Sequence, residues 1–193
     1  WVPTPPAFAP AAAPWLAYMR PFAIESTSQF RADGPPALDS EQYAADFNEV
    51  KKMGSLTSAD RTPEQTMLAR FFLDVASYQS ARGFRKLATD QEMSTADAAR
   101  FYAQMYVTST DAFMAGWDSK LYYGFWRPIT AIPLGATDGN GKTAADGAWT
   151  TFWPTPCFPS YPSNHASGSG AALEAMRRIY GAAGHDIALS ATI

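Results

Sequence analysis

Apolar positions at helical spacing mark out most of this chain, and they stop at glycine and proline. Tyr43, Phe47, Val50 and Met53 recur three to four residues apart, the repeat of one face of an α-helix. Ser40 offers a cap before them and Gly54 a stop after them. A second helix is expected from Thr62-Pro63-Glu64, a cap followed by proline in the first turn. Leu68, Phe71, Phe72 and Val75 would form its buried stripe, with the helix running to Tyr78 or breaking before Gly83. A longer helix starts at Ser94, where Ala98, Phe101, Met105, Thr108, Ala112 and Ala115 keep one face for burial. Its small residues Ser109, Ala112, Ala115 and Gly116 would admit a close neighbour. A last helix is expected from His165 through Ala171, Leu173 and Met176 to Tyr180. No region alternates at the strand period, so the expected fold class is all-α, a helical bundle.

Two stretches escape the helical pattern. Residues 1–38 hold eight of the fifteen prolines, a density that forbids long helices. Trp1, Phe8, Trp15 and Phe22 are too apolar for a free linker, so this stretch is expected to be an arm packed on the body of a single helical domain, 1–193. Residues 132–162 have no period either. Asp138-Gly139-Asn140-Gly141 is a turn signal. Beyond it, Trp149, Phe152, Trp153, Phe158 and Tyr161 are interleaved with prolines, and long ordered loops of this kind build binding sites.

Composition narrows the function. With 193 residues and 47% hydrophobic content, the chain can form a real core. A formal charge of −3 gives no basic footprint for nucleic acid. No run reaches the ~18 apolar residues of a membrane span. The one cysteine, Cys157, excludes an intrachain disulfide and has no neighbour in sequence that would activate it. Beginning at Trp1, the chain reads as soluble and processed, consistent with export to the periplasm or beyond after loss of a leader.

The chemistry concentrates in residues 120–165. Lys120 and Arg127 lie seven residues apart, and Pro162-Ser163-Asn164-His165 opens the last helix. A helix start exposes unpaired N–H groups and favours an anion. Lys120 and Arg127 add full charges, and arginine adds a planar fork suited to oxyanions. His165 supplies an acid/base at the same turn. Because proline follows it, Arg127 belongs at a helix end or on a loop. Asp111, Asp118 and Asp138 form no metal-ligand set, and Arg177 and Arg178 read as a solvated helix face. His185 is set aside as a partner for His165, being only twenty residues on and just past a helix end. Trp117 and Trp126 flank the two cations, where one of them would wall a pocket.

These two elements, Lys120 with Arg127-Pro128 and Pro162-Ser163-Asn164-His165, resemble the signature of vanadium-dependent haloperoxidases and the related type-2 phosphatidic acid phosphatases. The flanking Trp117-Asp118-Ser119-Lys120 and Phe125-Trp126-Arg127-Pro128 are closer to the bacterial haloperoxidase-like branch. The resemblance implies vanadate as cofactor, with Lys120, Arg127, Ser163 and the Asn164 N–H as its binding groups and His165 as the catalytic acid/base. Hydrogen peroxide and halide would be the small-molecule partners, with self-association left open. Asn164 stands where the family has glycine, which would put a side chain beside the bound oxygens. The family's third element, Ser-Arg, five residues, then His, does not occur in the sequence, so the C-terminal part of the family domain is expected to be missing. Two other readings share the pocket. One is an acid phosphatase that takes phosphate and a phosphomonoester. The other is an oxyanion-binding domain without turnover.

Overall fold

Ser40, Thr62, Ser94 and Ser163 each accept a backbone N–H from the first turn of the helix they precede, from Tyr43, Gln65, Asp97 and Ala166 respectively. Those bonds satisfy donors that a helix start leaves unpaired. The computed structural model describes residues 1–181 and 187–191. Its helices are α1 (Glu41–Met53), α2 (Pro63–Phe71), α3 (Ala76–Asp90), α4 (Thr95–Tyr123), α5 (Pro128–Ala131) and α6 (Asn164–Tyr180), with 3-10 turns at Pro14–Tyr18 and Gly135–Thr137. Among the described residues the only β pairing is an isolated bridge between Ser55 and Thr151. The fold is the expected all-α helical bundle. His185 lies outside the described residues.

The second expected helix is two. α2 ends at Phe71, and α3 begins at Ala76 after Val75, which offers no side-chain cap. Without a cap signal the second start was not legible in the sequence. The expected buried stripe is also corrected, because Leu68, Phe72 and Val75 are all exposed and α2 buries none of its residues. α3 is held instead by Phe84, Leu87 and Ala88.

α4 is the spine. Its first half contributes Phe101 and Met105 to a core with Phe84, Leu87 and Met176. Its second half is buried on several sides, taking in Asp111, Met114, Ala115, Gly116, Trp117, Ser119 and Lys120. The cause is that α6 lies along one face of α4 and the N-terminal segment along another. Small residues set the α4–α6 approach, as expected. A Cβ on Gly168 of α6 would meet the Phe113 ring at 2.8 Å, and one on Gly116 would meet Asn164 Oδ1 at 2.8 Å. A second core, made by Tyr43, Phe47, Ala131, Ile132 and Trp149, ties α1 to the loop after α5.

The proline-rich segment is fastened to α4 by polar bonds. The Asp111 carboxylate accepts N–H groups from Phe22, Ala23 and Ile24 at 2.8, 2.7 and 3.2 Å. Arg31 Nε donates to Asp118 at 2.6 Å, and Ala32 N–H donates to Ser119 Oγ at 3.1 Å. Asp111 and Asp118 are therefore spent on holding this segment. Asp138 is spent within its own turn, accepting from Thr143 Oγ1 and the Asn140 N–H.

Candidate oxyanion site

α4 stops three residues after Lys120. Gly124 takes the left-handed conformation at φ 54° and closes the helix, a geometry that glycine adopts without the Cβ penalty. The chain then turns so that Arg127, at φ −86° and ψ 152°, becomes the cap residue of α5. Arg127 thus lies outside a helix interior, after the end of α4 and at the cap of α5, in keeping with the proline that follows it.

Between them the two cations reach three consecutive carbonyls, those of Phe158, Pro159 and Ser160. Lys120 Nζ donates to Pro159 O at 2.8 Å and Ser160 O at 3.0 Å. Arg127 Nε donates to Phe158 O at 2.6 Å. The Phe158 ring lies beside both, 5.3 Å from Lys120 Nζ and 4.5 Å from Arg127 Cζ, where its π-face attracts cations. Trp117 meets this ring edge-on at 5.2 Å. Phe158 is the residue that sequence reasoning missed. It was visible only as one of several aromatics between prolines.

Lys120 is 1% exposed and has no carboxylate partner among the described residues. Burial, and then the charge of Arg127, push its pKa down to about 7. Burial lowers Arg127 to about 10, so its guanidinium stays charged at neutral pH. Each cation keeps donors in reserve. An ammonium has three N–H groups and Lys120 uses two. Arg127 Nη2 is buried with no hydrogen-bond partner among the described residues, a costly state for a cationic donor unless something accepts from it.

Arg127 and His165 line one cleft of about 530 Å³, walled by Trp149, Trp153 and Pro154. Lys120, Ser163 and Asn164 do not line it. His165 is exposed on the first turn of α6 and makes no side-chain hydrogen bond among the described residues. Ser163 Oγ accepts from Ala166 N–H at 3.2 Å, and Ser163 O accepts from Ser167 N–H. The cap leaves the Asn164 and His165 N–H groups open at the helix start. The Asn164 side chain is not where the sequence suggested. It turns toward α4, with Oδ1 buried against Gly116 and unpartnered.

Of the neighbouring aromatics, Trp117 is buried, Trp126 packs on the α1 core with its Nε1 unpartnered, and Trp153 is exposed at the cleft. Arg177 and Arg178 pair with Glu174 on the exposed face of α6, as read from the sequence. Cys157 differs from expectation. The Thr4 hydroxyl donates to its sulfur at 3.4 Å, and that bond, with Arg127 adding to it, holds the thiol below its ordinary pKa. Thr4 is 153 residues away, out of sight of any local reading.

Residues 100–193 match the family described as the VCPO second helical-bundle domain. The chain is 26% identical to the vanadium chloroperoxidase of Curvularia inaequalis over 208 aligned residues, covering 86% of this chain and 33% of that protein. It superimposes on a bacterial vanadium-dependent iodoperoxidase with a TM-score of 0.68 at 25% identity, covering 94% of this chain and 45% of that one. The chain thus spans a third to under half of the relatives it matches. No helix among the described residues is long and apolar enough to cross a membrane.

Proposed function

The chain is a distant member of the vanadium haloperoxidase family, and from that premise we propose that residues 120–165 form part of a vanadate cradle for peroxide-dependent halide oxidation. The observation that carries this is Arg127 Nη2, a buried cationic donor with no partner. Lys120, close enough for the charge of Arg127 to lower its pKa, has one N–H to spare, and the start of α6 reaches the Arg127 cleft through His165. Two cations and a helix N-terminus suit an oxyanion of several negative charges.

On this reading Arg127 and Lys120 neutralise the oxyanion, and the Asn164 and His165 N–H groups orient it. Ser163 holds those N–H groups in place by capping the helix. His165 gives and takes the proton at the cleft. Vanadate, when bound, supplies the centre at which peroxide is activated toward halide. The cation and coordinating histidine of the family's third element are not assigned to any of these 193 residues. Phosphate fits the same donors, but both named relatives are peroxidases, which puts the phosphatase reading second.

The test is monochlorodimedone bromination by the full-length protein with vanadate, peroxide and bromide, beside a p-nitrophenyl phosphate assay. Vanadate-dependent bromination that is lost in Arg127→Ala is expected. Phosphatase turnover without bromination moves the function to phosphoester hydrolysis. Neither activity leaves an oxyanion-binding domain.

A further inference from the structure

Two buried polar groups meet without an acceptor between α1 and the turn into α5. Tyr43 of α1 is 5% exposed, and its hydroxyl has no hydrogen-bond partner among the described residues. Trp126 follows the end of α4 and packs on the same core, and its Nε1 is likewise buried without a partner among those residues. The indole is near enough to act on the Tyr43 hydroxyl, so the two groups converge. Buried polar groups are ordinarily paired, and leaving two of them idle side by side is costly.

Both residues line a pocket of about 190 Å³. Phe47 and Phe125 add two more rings to its wall, and Ala131 and Ile132 come to it from α5 and the residue after it. The Tyr43 ring meets Phe47 at 5.9 Å and Phe125 edge-on at 6.4 Å, contacts that hold the wall in place. Val50 and Pro128 belong both to this wall and to that of the Arg127 cleft. The two cavities are therefore neighbours, yet Lys120, Arg127 and His165 do not line this one.

The lining disfavours an ion. No Lys, Arg or His is there to balance an anion. Its one carboxylate, on the exposed Asp46, already accepts from Gln42 Nε2 at 2.8 Å. The polar groups ask for an acceptor. An indole N–H can only donate. Burial, and then the nearby Asp138, push the Tyr43 pKa up to about 12, so this hydroxyl keeps its proton. Asp138 itself is engaged by Thr143 Oγ1 and the Asn140 N–H. Around the two donors stand four aromatic side chains, which favour an aromatic body through edge and face contacts. A dry cavity of about 150 Å³ is room enough for benzene. We propose that this pocket binds a neutral, single-ring aromatic molecule bearing a carbonyl oxygen, which accepts from Trp126 Nε1 and the Tyr43 hydroxyl. The site stands apart from the oxyanion cleft and does not rest on the haloperoxidase reading.

Acetophenone is the probe, with toluene as the control that lacks the oxygen. Acetophenone should shift the Trp126 indole N–H resonance in a saturable way. Calorimetry should find it bound about three- to tenfold more tightly than toluene, the worth of one net hydrogen bond. Tyr43→Phe removes only a hydroxyl that no described residue pairs with, so this variant should keep its melting temperature. It should also lose most of the preference for acetophenone over toluene. Trp126→Phe should lose it as well, while both variants still take toluene. The absence of a saturable shift overturns the proposal. Equal affinity for the two probes in the wild type does so too, because the pocket would then be a simple apolar gap. A preference that survives both substitutions would place the carbonyl oxygen elsewhere. Crystals soaked in acetophenone give the last check, and ordered water alone on Trp126 Nε1 and the Tyr43 hydroxyl would sink the site.

Discussion

Asn164 at the start of α6 fits the notch left by Gly116 on α4, so closely that a Cβ on Gly116 would sit 2.8 Å from Asn164 Oδ1. The pair sets how near the start of α6 comes to the helix that carries Lys120. Gly116→Ala should therefore push α6 away and destabilise the fold by about 1–3 kcal/mol, the usual cost of overpacking. Urea unfolding of Gly116→Ala, Asn164→Gly and the double variant measures the coupling. The double variant should recover part of the loss, because the clash needs both side chains. Strictly additive losses would show that the two residues do not meet.

Asn164→Gly has a second expected outcome. From sequence alone its side chain belonged beside the bound oxygens, and removing it should have tightened binding. With the side chain against Gly116, vanadate affinity should change by no more than about twofold, while stability falls by about 1 kcal/mol from the added chain entropy. Calorimetric titration with vanadate reads the affinity. A clear gain would mean that the side chain swings into the site.

Lys120 makes stability depend on pH in a direction opposite to that of a salt-bridged lysine. Its folded pKa, about 7, lies below the ordinary 10.5. Between those values the unfolded chain binds the extra proton, so stability should rise as pH climbs from about 7 toward 10.5. Lys120→Met should flatten that rise in urea midpoints taken across the window. Sulfate binding should run the other way, weakening above pH 7, because the oxyanion needs the charged ammonium. Sulfate keeps its own charge over this range, so the change reports the protein. A pH-independent sulfate affinity would count against Lys120 as a binding group.

Arg127→Ala should remove most of the thermal protection given by millimolar vanadate, at least about tenfold in affinity. Arg127→Lys should restore little, because an ammonium cannot hold Phe158 O and an oxyanion with one planar fork. Melting curves with and without vanadate compare the three proteins. Full protection in Arg127→Ala would place the oxyanion elsewhere.

The Asp111 carboxylate gathers three N–H groups of the proline-rich segment. Asp111→Ala leaves them unpaired and should cost about 1–3 kcal/mol. It should also release the segment, so that limited proteolysis cuts within residues 1–30 well before the wild type is cut. An unchanged cleavage pattern would show that apolar contacts alone hold the segment.

Much of this was written in local sequence. Ser40, Ser94 and Ser163 announce their helices because a side-chain oxygen one turn ahead is a local signal. Pro128 keeps Arg127 out of a helix interior by sterics within two residues. Lys120, Arg127 and the turn at Ser163 could be picked out because charges and helix starts have chemistry of their own. Tertiary structure decided what no local pattern encodes. α3 starts without a cap, so only packing of Phe84 and Leu87 against Phe101 and Met105 defines it. The stripe on α2 reads as buried by period, but burial needs a facing element, and Leu68, Phe72 and Val75 stay exposed while Phe71 is only half-buried. The direction of the Asn164 side chain depends on Gly116, 48 positions earlier in the sequence. The lowered pKa of Lys120 depends on burial beneath a loop some 40 residues away. Spacing determines which groups a helix can present together, but the dielectric around them and the partners they meet are set only when distant segments close over them.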